Sequence, residues 1–145
     1  MANDSSQIGV VVEKYVGQIK NQMKSRSYRV ANELRNSSQL VLRGARSGRR
    51  YRKPNTKAYY TASAPGEPPA MRTGTFRGSW QATSYAEGDS VHSEIHSNVR
   101  TENGKYLLGE ILEEGTKKIA PRPYKQRILE KTRKKAVSIY KEPYF

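Results

Sequence analysis

A chain of 145 residues in which 27 Lys and Arg stand against 13 Asp and Glu carries a formal charge of +14, and such a chain seeks a polyanion or an acidic protein face. Only 34% of it is hydrophobic, so the expectation is one domain with a small core and extensions that become ordered against partners. It has no cysteine, which excludes disulfides, thiol catalysis and cysteine-based zinc sites; no run reaches the ~20 apolar residues of a membrane span, and no signal-peptide pattern opens it, so a cytosolic origin without membrane contact is the default expectation.

Asp4 or Ser5 offers a helix cap. Ile8, Val12, Tyr15, Ile19, Met23, Val30 and Leu34 then recur mostly three, four or seven apart, which predicts one long helix with a single apolar stripe. No proline occurs before Pro54, and Gly44 is a plausible stop. A helix of that length spans roughly 60 Å, more than one small sheet covers. Two readings stay open: part of the stripe packs on another subunit, or the low-propensity Ser25 to Ser27 region turns the chain into a helix hairpin.

Between Glu33 and Glu67 there is no acidic residue. Arg46, Arg49, Arg50, Arg52, Lys53 and Lys57 fall there, interleaved with Tyr51, Tyr59 and Tyr60. That blend suits a phosphate backbone with aromatic stacking, or a loop that docks on acidic protein. Gly44-Ala-Arg-Ser-Gly is not a P-loop, since no Gly-Lys-Ser/Thr follows at the required spacing. A second basic block runs from Lys117 to Lys141.

From Ala62 to Trp80 the chain reads as a stiff, specified loop. Pro65-Gly66 suits the centre of a type II turn. Glu67 precedes a proline and is pushed to extended geometry, and Pro68-Pro69 favours polyproline II. Thr73-Gly74 bends into a strand over Thr75 to Tyr85, with Phe76, Gly78, Trp80 and Ala82 on one side. After a turn at Glu87-Gly88-Asp89, Val91, Ile95 and Val99 share a face of a second strand, giving an antiparallel hairpin. Phe76 and Trp80 read as core. His92 and His96 lie on the opposite face, about 13 Å apart, too far to chelate one ion without other ligands.

Asn103-Gly104 is a turn. Tyr106, Leu107, Ile111 and Leu112 form the apolar face of a short helix that ends at Gly115, with Glu110, Glu113 and Glu114 on its polar side. Thr116 to Pro121 reads as extended, a candidate strand. Pro123 suits the first turn of a last helix. Tyr124, Ile128, Leu129, Thr132, Ala136 and Ile139 make its buried stripe, Lys131, Arg133, Lys134 and Lys135 sit late in it, and Pro143 ends it before an aromatic tail, Tyr144-Phe145. The fold class is therefore α+β in a single domain: an N-terminal helix region (1–44), an extended basic and Pro/Gly-rich loop (45–74), and a small antiparallel sheet with two helices (75–145).

Three segments carry a resemblance: Ala62 to Ser79, Glu113-Glu114-Gly115-Thr116, and Arg122-Pro123-Tyr124. Their order and spacing resemble the neck or tail-completion proteins of long-tailed bacteriophages, a family often filed as minor tail components. There the first run tends to read Ala-Ser-x-Pro-Gly-Glu-Pro-Pro-x-x-x-Thr-Gly-x-Leu-x-x-Ser. Phe76 stands where Leu is common, Tyr124 where Phe is common, and Pro121 precedes Arg122. The resemblance spans residue 62 to about 130 and does not cover the basic insert before it.

The resemblance implies a structural virion protein of the head–tail junction, made in the host cytoplasm and forming a homo-oligomeric ring. A hexamer is favoured over a dodecamer. The ring encircles the channel through which DNA passes, below the head connector and above the tail terminator or tail tube. On that reading Pro65, Gly66, Glu67, Pro68, Pro69, Thr73 and Gly74 form an interface loop, and Arg46, Arg49, Arg50, Arg52, Lys53 and Lys57 dock on acidic protein or face DNA. No cofactor and no enzymatic chemistry are expected. The alternative is a basic nucleic-acid-binding protein, resting on the charge and the Arg/Tyr insert.

Overall fold

The computed structural model describes residues 2–145, with the side chains of residues 2–5 outside the described set. One helix, α1 (Ala2–Val41), runs unbroken for 40 residues, about 60 Å at 1.5 Å per residue. It is under way at Ala2, so Asp4 and Ser5 lie inside it and not at its cap. The Ser25 to Ser27 region does not turn, so the chain forms one continuous helix and not a helix hairpin. Gly44 follows the last helical turn, which Leu42 and Arg43 close with N–H bonds to the Ser38 and Leu40 carbonyls.

The serines that lower helix propensity have a tertiary use. Ser27, Ala31, Ser37 and Ser38 are buried, and their small size lets other elements approach α1 closely. The Ser27 hydroxyl donates to the His92 carbonyl at 2.8 Å, and the Ser93 hydroxyl donates to the Ser27 carbonyl at 2.7 Å. The Thr132 hydroxyl lies 2.8 Å from Ser37 Oγ.

After α1 come β1 (Arg50–Arg52) and β2 (Tyr59–Thr61), a two-stranded antiparallel sheet with Tyr51 opposite Tyr60. The basic insert is thus a short hairpin, where an extended loop was expected. Its turn is built on Pro54 and on Asn55, whose φ of 57° is left-handed. A single helical turn, α2 (Thr75–Gly78), stands where the first long strand was expected to begin. That strand, β3 (Gln81–Glu87), begins only at Gln81 and pairs antiparallel with β4 (Ser90–His96), Ala82 opposite Ile95 and Ala86 opposite Val91. Val99 lies beyond the sheet.

The short helix α3 (Leu108–Glu114) ends at Gly115, whose φ is 74°. Tyr106 precedes it and is exposed, so it does not belong to the apolar face. Thr116 to Pro121 is a turn closed by the Thr116 N–H on the Ile119 carbonyl at 2.8 Å, which corrects the expected strand. Then comes α4 (Lys125–Tyr140), flanked by Tyr124 at its N-cap, so Pro123 lies just before the helix and not in its first turn.

The core sits where α4 and the β3–β4 hairpin cross the C-terminal half of α1. Leu34, Leu42, Trp80, Tyr124 and Ile128 are its buried members, with Val41, Phe76, Ile95 and Leu112 packed around them. Thr132 and Ile139 continue the buried stripe of α4, whereas Leu129 is exposed. Phe76, Trp80 and Tyr124 form a triangle of edge-on rings with centroids 5.5 to 5.8 Å apart, the geometry that aromatic quadrupoles favour.

The segment after α4 folds back onto α1. Arg26 is buried and donates to the carbonyls of Tyr140, Glu142 and Pro143 at 3.2, 2.5 and 2.7 Å. Its guanidinium also lies 3.8 Å from the centre of the Tyr144 ring. Arg29 forks onto Glu142 at 2.7 and 2.8 Å and so holds that carboxyl below its ordinary range. Phe145 meets the Tyr15 ring edge-on at 5.4 Å.

Candidate interface: the Pro/Gly clasp and the basic hairpin

Residues 64–69 form a turn with a bound carboxylate. The Glu67 N–H donates to the Ala64 carbonyl at 3.1 Å around Pro65 and Gly66, and Gly66 has φ 85°, the left-handed position that a type II turn requires. The Glu67 carboxylate accepts the Ser47 hydroxyl, the Ser47 N–H at 3.0 Å and the Ala64 N–H at 2.9 Å. These bonds, the Ser47 side chain first, lower its pKa to about 2. Glu67 thereby ties the turn to the base of the basic hairpin.

Arg46 closes the other side. Its Nε donates to the Pro68 carbonyl at 2.7 Å, while Nη2 reaches the Pro69 and Val41 carbonyls at 3.0 and 2.8 Å. Prolines offer only acceptors, and an arginine fork satisfies several at once. Arg46 also caps the free carbonyl end of α1. Its guanidinium is spent inside the fold, unlike the other five basic residues of the insert.

Pro68 and Pro69 are buried, while Pro65 and Gly66 are exposed. The Gly66 N–H donates to the Pro121 carbonyl, and Arg127 Nη2 donates to the Gly66 carbonyl, both at 3.2 Å. Thr73 lies on the surface with its hydroxyl 3.1 Å from that of Thr75, and Gly74, φ 86°, opens α2. The candidate loop thus divides. Glu67, Pro68 and Pro69 face the protein's own interior, and Pro65, Gly66 and Thr73 face outward.

Ser47, Pro121 and Arg127 complete the clasp without having stood out in the sequence. The available signal was Glu67 itself, a lone carboxylate after a long basic stretch. Glu113 is a second such case. Placed by sequence on a polar face, it accepts the Tyr124 and Lys125 N–H groups at 2.8 and 3.2 Å and so caps α4 from another helix. Tyr124 donates its hydroxyl to the Gly109 carbonyl at 2.9 Å, and burial, then the nearby Glu113 and Glu110, raise its pKa.

The hairpin carries its charge outward. Arg49, Arg50, Arg52 and Lys57 are exposed, and none of them makes an ion pair among the described residues. Arg50 lies 4.7 Å over the Tyr59 ring and Arg49 5.7 Å over Tyr51, while Arg52 Nε donates to the Thr56 carbonyl at 2.7 Å. Lys53 is half-buried at the turn. Gly48 lets the hairpin base close, because a Cβ there would stand 2.5 Å from the Ala62 carbonyl oxygen.

Between the hairpin, the loop 69–74 and α3 lies an apolar cleft of about 630 Å³, whose walls include Leu42, Met71, Phe76, Leu108, Leu112 and Ile119. At the far end of the molecule, Ile8, Val10, Val11, Val12, Tyr15 and Val16 on α1 are each between 43% and 66% exposed. No helix among the described residues is long and apolar enough to cross a membrane. The chain matches no family model, no curated protein and no solved structure.

Proposed function

We propose that this protein is a structural component of a phage head–tail junction. It works as a ring, a hexamer in preference to a dodecamer, around the DNA channel, and joins the head connector to the tail terminator or tail tube. It acts in the virion and is made in the host cytoplasm. Its work is the geometry of ring closure and docking, and no chemical step or cofactor is called for.

The observation that carries this reading is the uneven burial of α1. Its C-terminal half is enclosed by β3, β4 and α4, and its N-terminal half exposes a run of apolar side chains. A chain this poor in apolar residues loses by leaving six of them wet, and an apolar patch of that kind marks an interaction surface. The rigid clasp and the outward basic hairpin supply further docking features, rich in the Arg and aromatic residues on which interfaces concentrate their energy. The motif resemblance supplies the setting.

The test is the mass of the purified protein by light scattering together with negative-stain imaging. Closed rings with a central hole are expected; a monomer at all concentrations refutes the reading. A second reading, a nucleic-acid-binding protein, draws on the unpaired arginines of the hairpin. Phosphate contacts by about six cations would make DNA affinity fall ~10³-fold or more between 50 and 200 mM salt. Binding that is weak and shallow in its salt dependence favours docking on acidic protein instead.

A further inference from the structure

The exposed arm of α1 and the apolar cleft are two uncovered surfaces of one chain. We infer that they are two halves of a single interface: the segment Ile8–Val16 of one copy seats in the cleft beside Met71 of the next. This rests on the ring-forming part of the function proposed above and names the contact that would close the ring.

Four observations carry it. First, the arm fits helix-in-groove recognition, with Ile8, Val11 and Val12 spaced by three and four along one face, just beyond Tyr15, which meets Phe145. Second, the arm is ill suited to stand alone. It holds Gly9, Gly17 and three consecutive valines, which are poor helix formers in water, and neither glycine has an atom of another part of the chain near its Cβ position.

Third, the arm cannot fill the cleft of its own chain. Leu42, at the other end of the same continuous helix, lines that cleft, and thirty helical residues place Val12 about 45 Å away. Fourth, the charges are complementary. Residues 1–16 hold Asp4 and Glu13 against Lys14 alone, in a chain of +14. The cleft carries Arg72, Arg77 and Arg122 against the single carboxylate of Glu102. Because arm and cleft are different patches, the contact is heterologous, the kind that repeats head to tail until rotation closes it.

The full-length chain tests this with two variants. Val11→Asp/Val12→Asp spoils the arm, and Met71→Asp/Arg72→Glu spoils the cleft at two exposed positions. Both should still melt cooperatively, since neither pair is in the core, with the arm's share of the helical circular dichroism and the stability gained on assembly lost together. Sedimentation velocity should show each variant alone as a 16.5 kDa monomer. An equimolar mixture should form a dimer and nothing larger, since each pair then has one intact arm and one intact cleft. Wild-type assemblies formed by either variant alone would overturn the contact while leaving the ring reading standing. Self-association of the cleft variant would mean arm-to-arm pairing, and a mixture that stays monomeric would likewise overturn it. A wild type that never leaves the monomer sinks both.

Discussion

Trp80 is the sharpest probe of the core, because its two halves have opposite energetic roles. Its ring is buried, 7% exposed, and packs edge-on against Phe76 and Tyr124. Its indole Nε1 is equally buried but donates to no partner among the described residues. Trp80→Ala removes the ring and leaves a cavity, a change that costs about 3–5 kcal/mol. With an unfolding entropy of ~2.1 cal/mol/K per residue over 145 residues, Tm should fall by ~10–16 °C. Trp80→Phe keeps an aromatic edge against both neighbours and loses no hydrogen bond. It also removes an unpaired donor, whose burial costs about 1–3 kcal/mol, and this offsets part of the lost volume. The Phe variant should therefore lose less than half of what the Ala variant loses. Urea unfolding followed by circular dichroism gives both numbers, since the protein's one tryptophan is the residue replaced. If Phe costs as much as Ala, the indole N–H is satisfied and the core has been misread; if Ala costs nothing, Trp80 is not in the core.

Glu67→Gln should weaken the clasp at neutral pH. The native pKa, near 2, lies below the ordinary value of 4.5, so the carboxylate's contribution is full above about pH 4.5 and fades as pH falls toward 2; the gap between wild type and variant in urea midpoint should close over that window, and a gap that is constant with pH would refute the assignment. Gly66→Val forces a side chain into φ 85° at a cost of about 1–2 kcal/mol, and should hurt joining of heads to tails more than folding; normal virions would make the loop a mere connection. Arg26→Met leaves the carbonyls of Tyr140, Glu142 and Pro143 without their donor. It should cost about 2–4 kcal/mol and loosen the segment after α4 first, which hydrogen exchange of residues 140–145 would show. Replacing Arg49, Arg50, Arg52 and Lys53 with Ser should abolish joining with little change in DNA retention; normal joining with lost DNA retention would reverse the preference between the two functions.

Local chemistry made parts of this fold legible. Pro65-Gly66 read as a type II turn because proline and glycine fix that geometry by themselves, and α1 and α4 read as helices because their apolar residues repeat at helical spacing. Elsewhere the deciding partner was distant. Thr75 to Gly78 alternates like a strand but coils into one helical turn after the left-handed Gly74, and Arg77 reaches the Gln39 carbonyl of α1 at 3.1 Å. Glu113 caps a helix that begins twelve residues later, which no window on α3 reveals. Within the candidate site, composition counted Arg46 with the free cations, and only the surrounding Pro68, Pro69 and Val41 carbonyls take it out of that set. The hairpin at Arg50–Arg52 and Tyr59–Thr61 was within reach, since β-forming tyrosines flank a Pro-Asn turn, but its strands are three residues each, too short for alternation to show.

The grip of Arg26 on residues 140–144 also sets an order of events during synthesis. About 115 residues separate the two, an interval of roughly 6–23 s at ribosomal speeds of 5–20 residues per second. Until the later segment emerges, the Arg26 guanidinium has none of its carbonyl partners from residues 140–143, and Ser37 waits almost as long for Thr132. The nascent chain therefore holds its longest helix open through most of translation, with the valines of the arm exposed to every other nascent copy on the same message. Copies made side by side on a polysome would meet before any of them has finished folding.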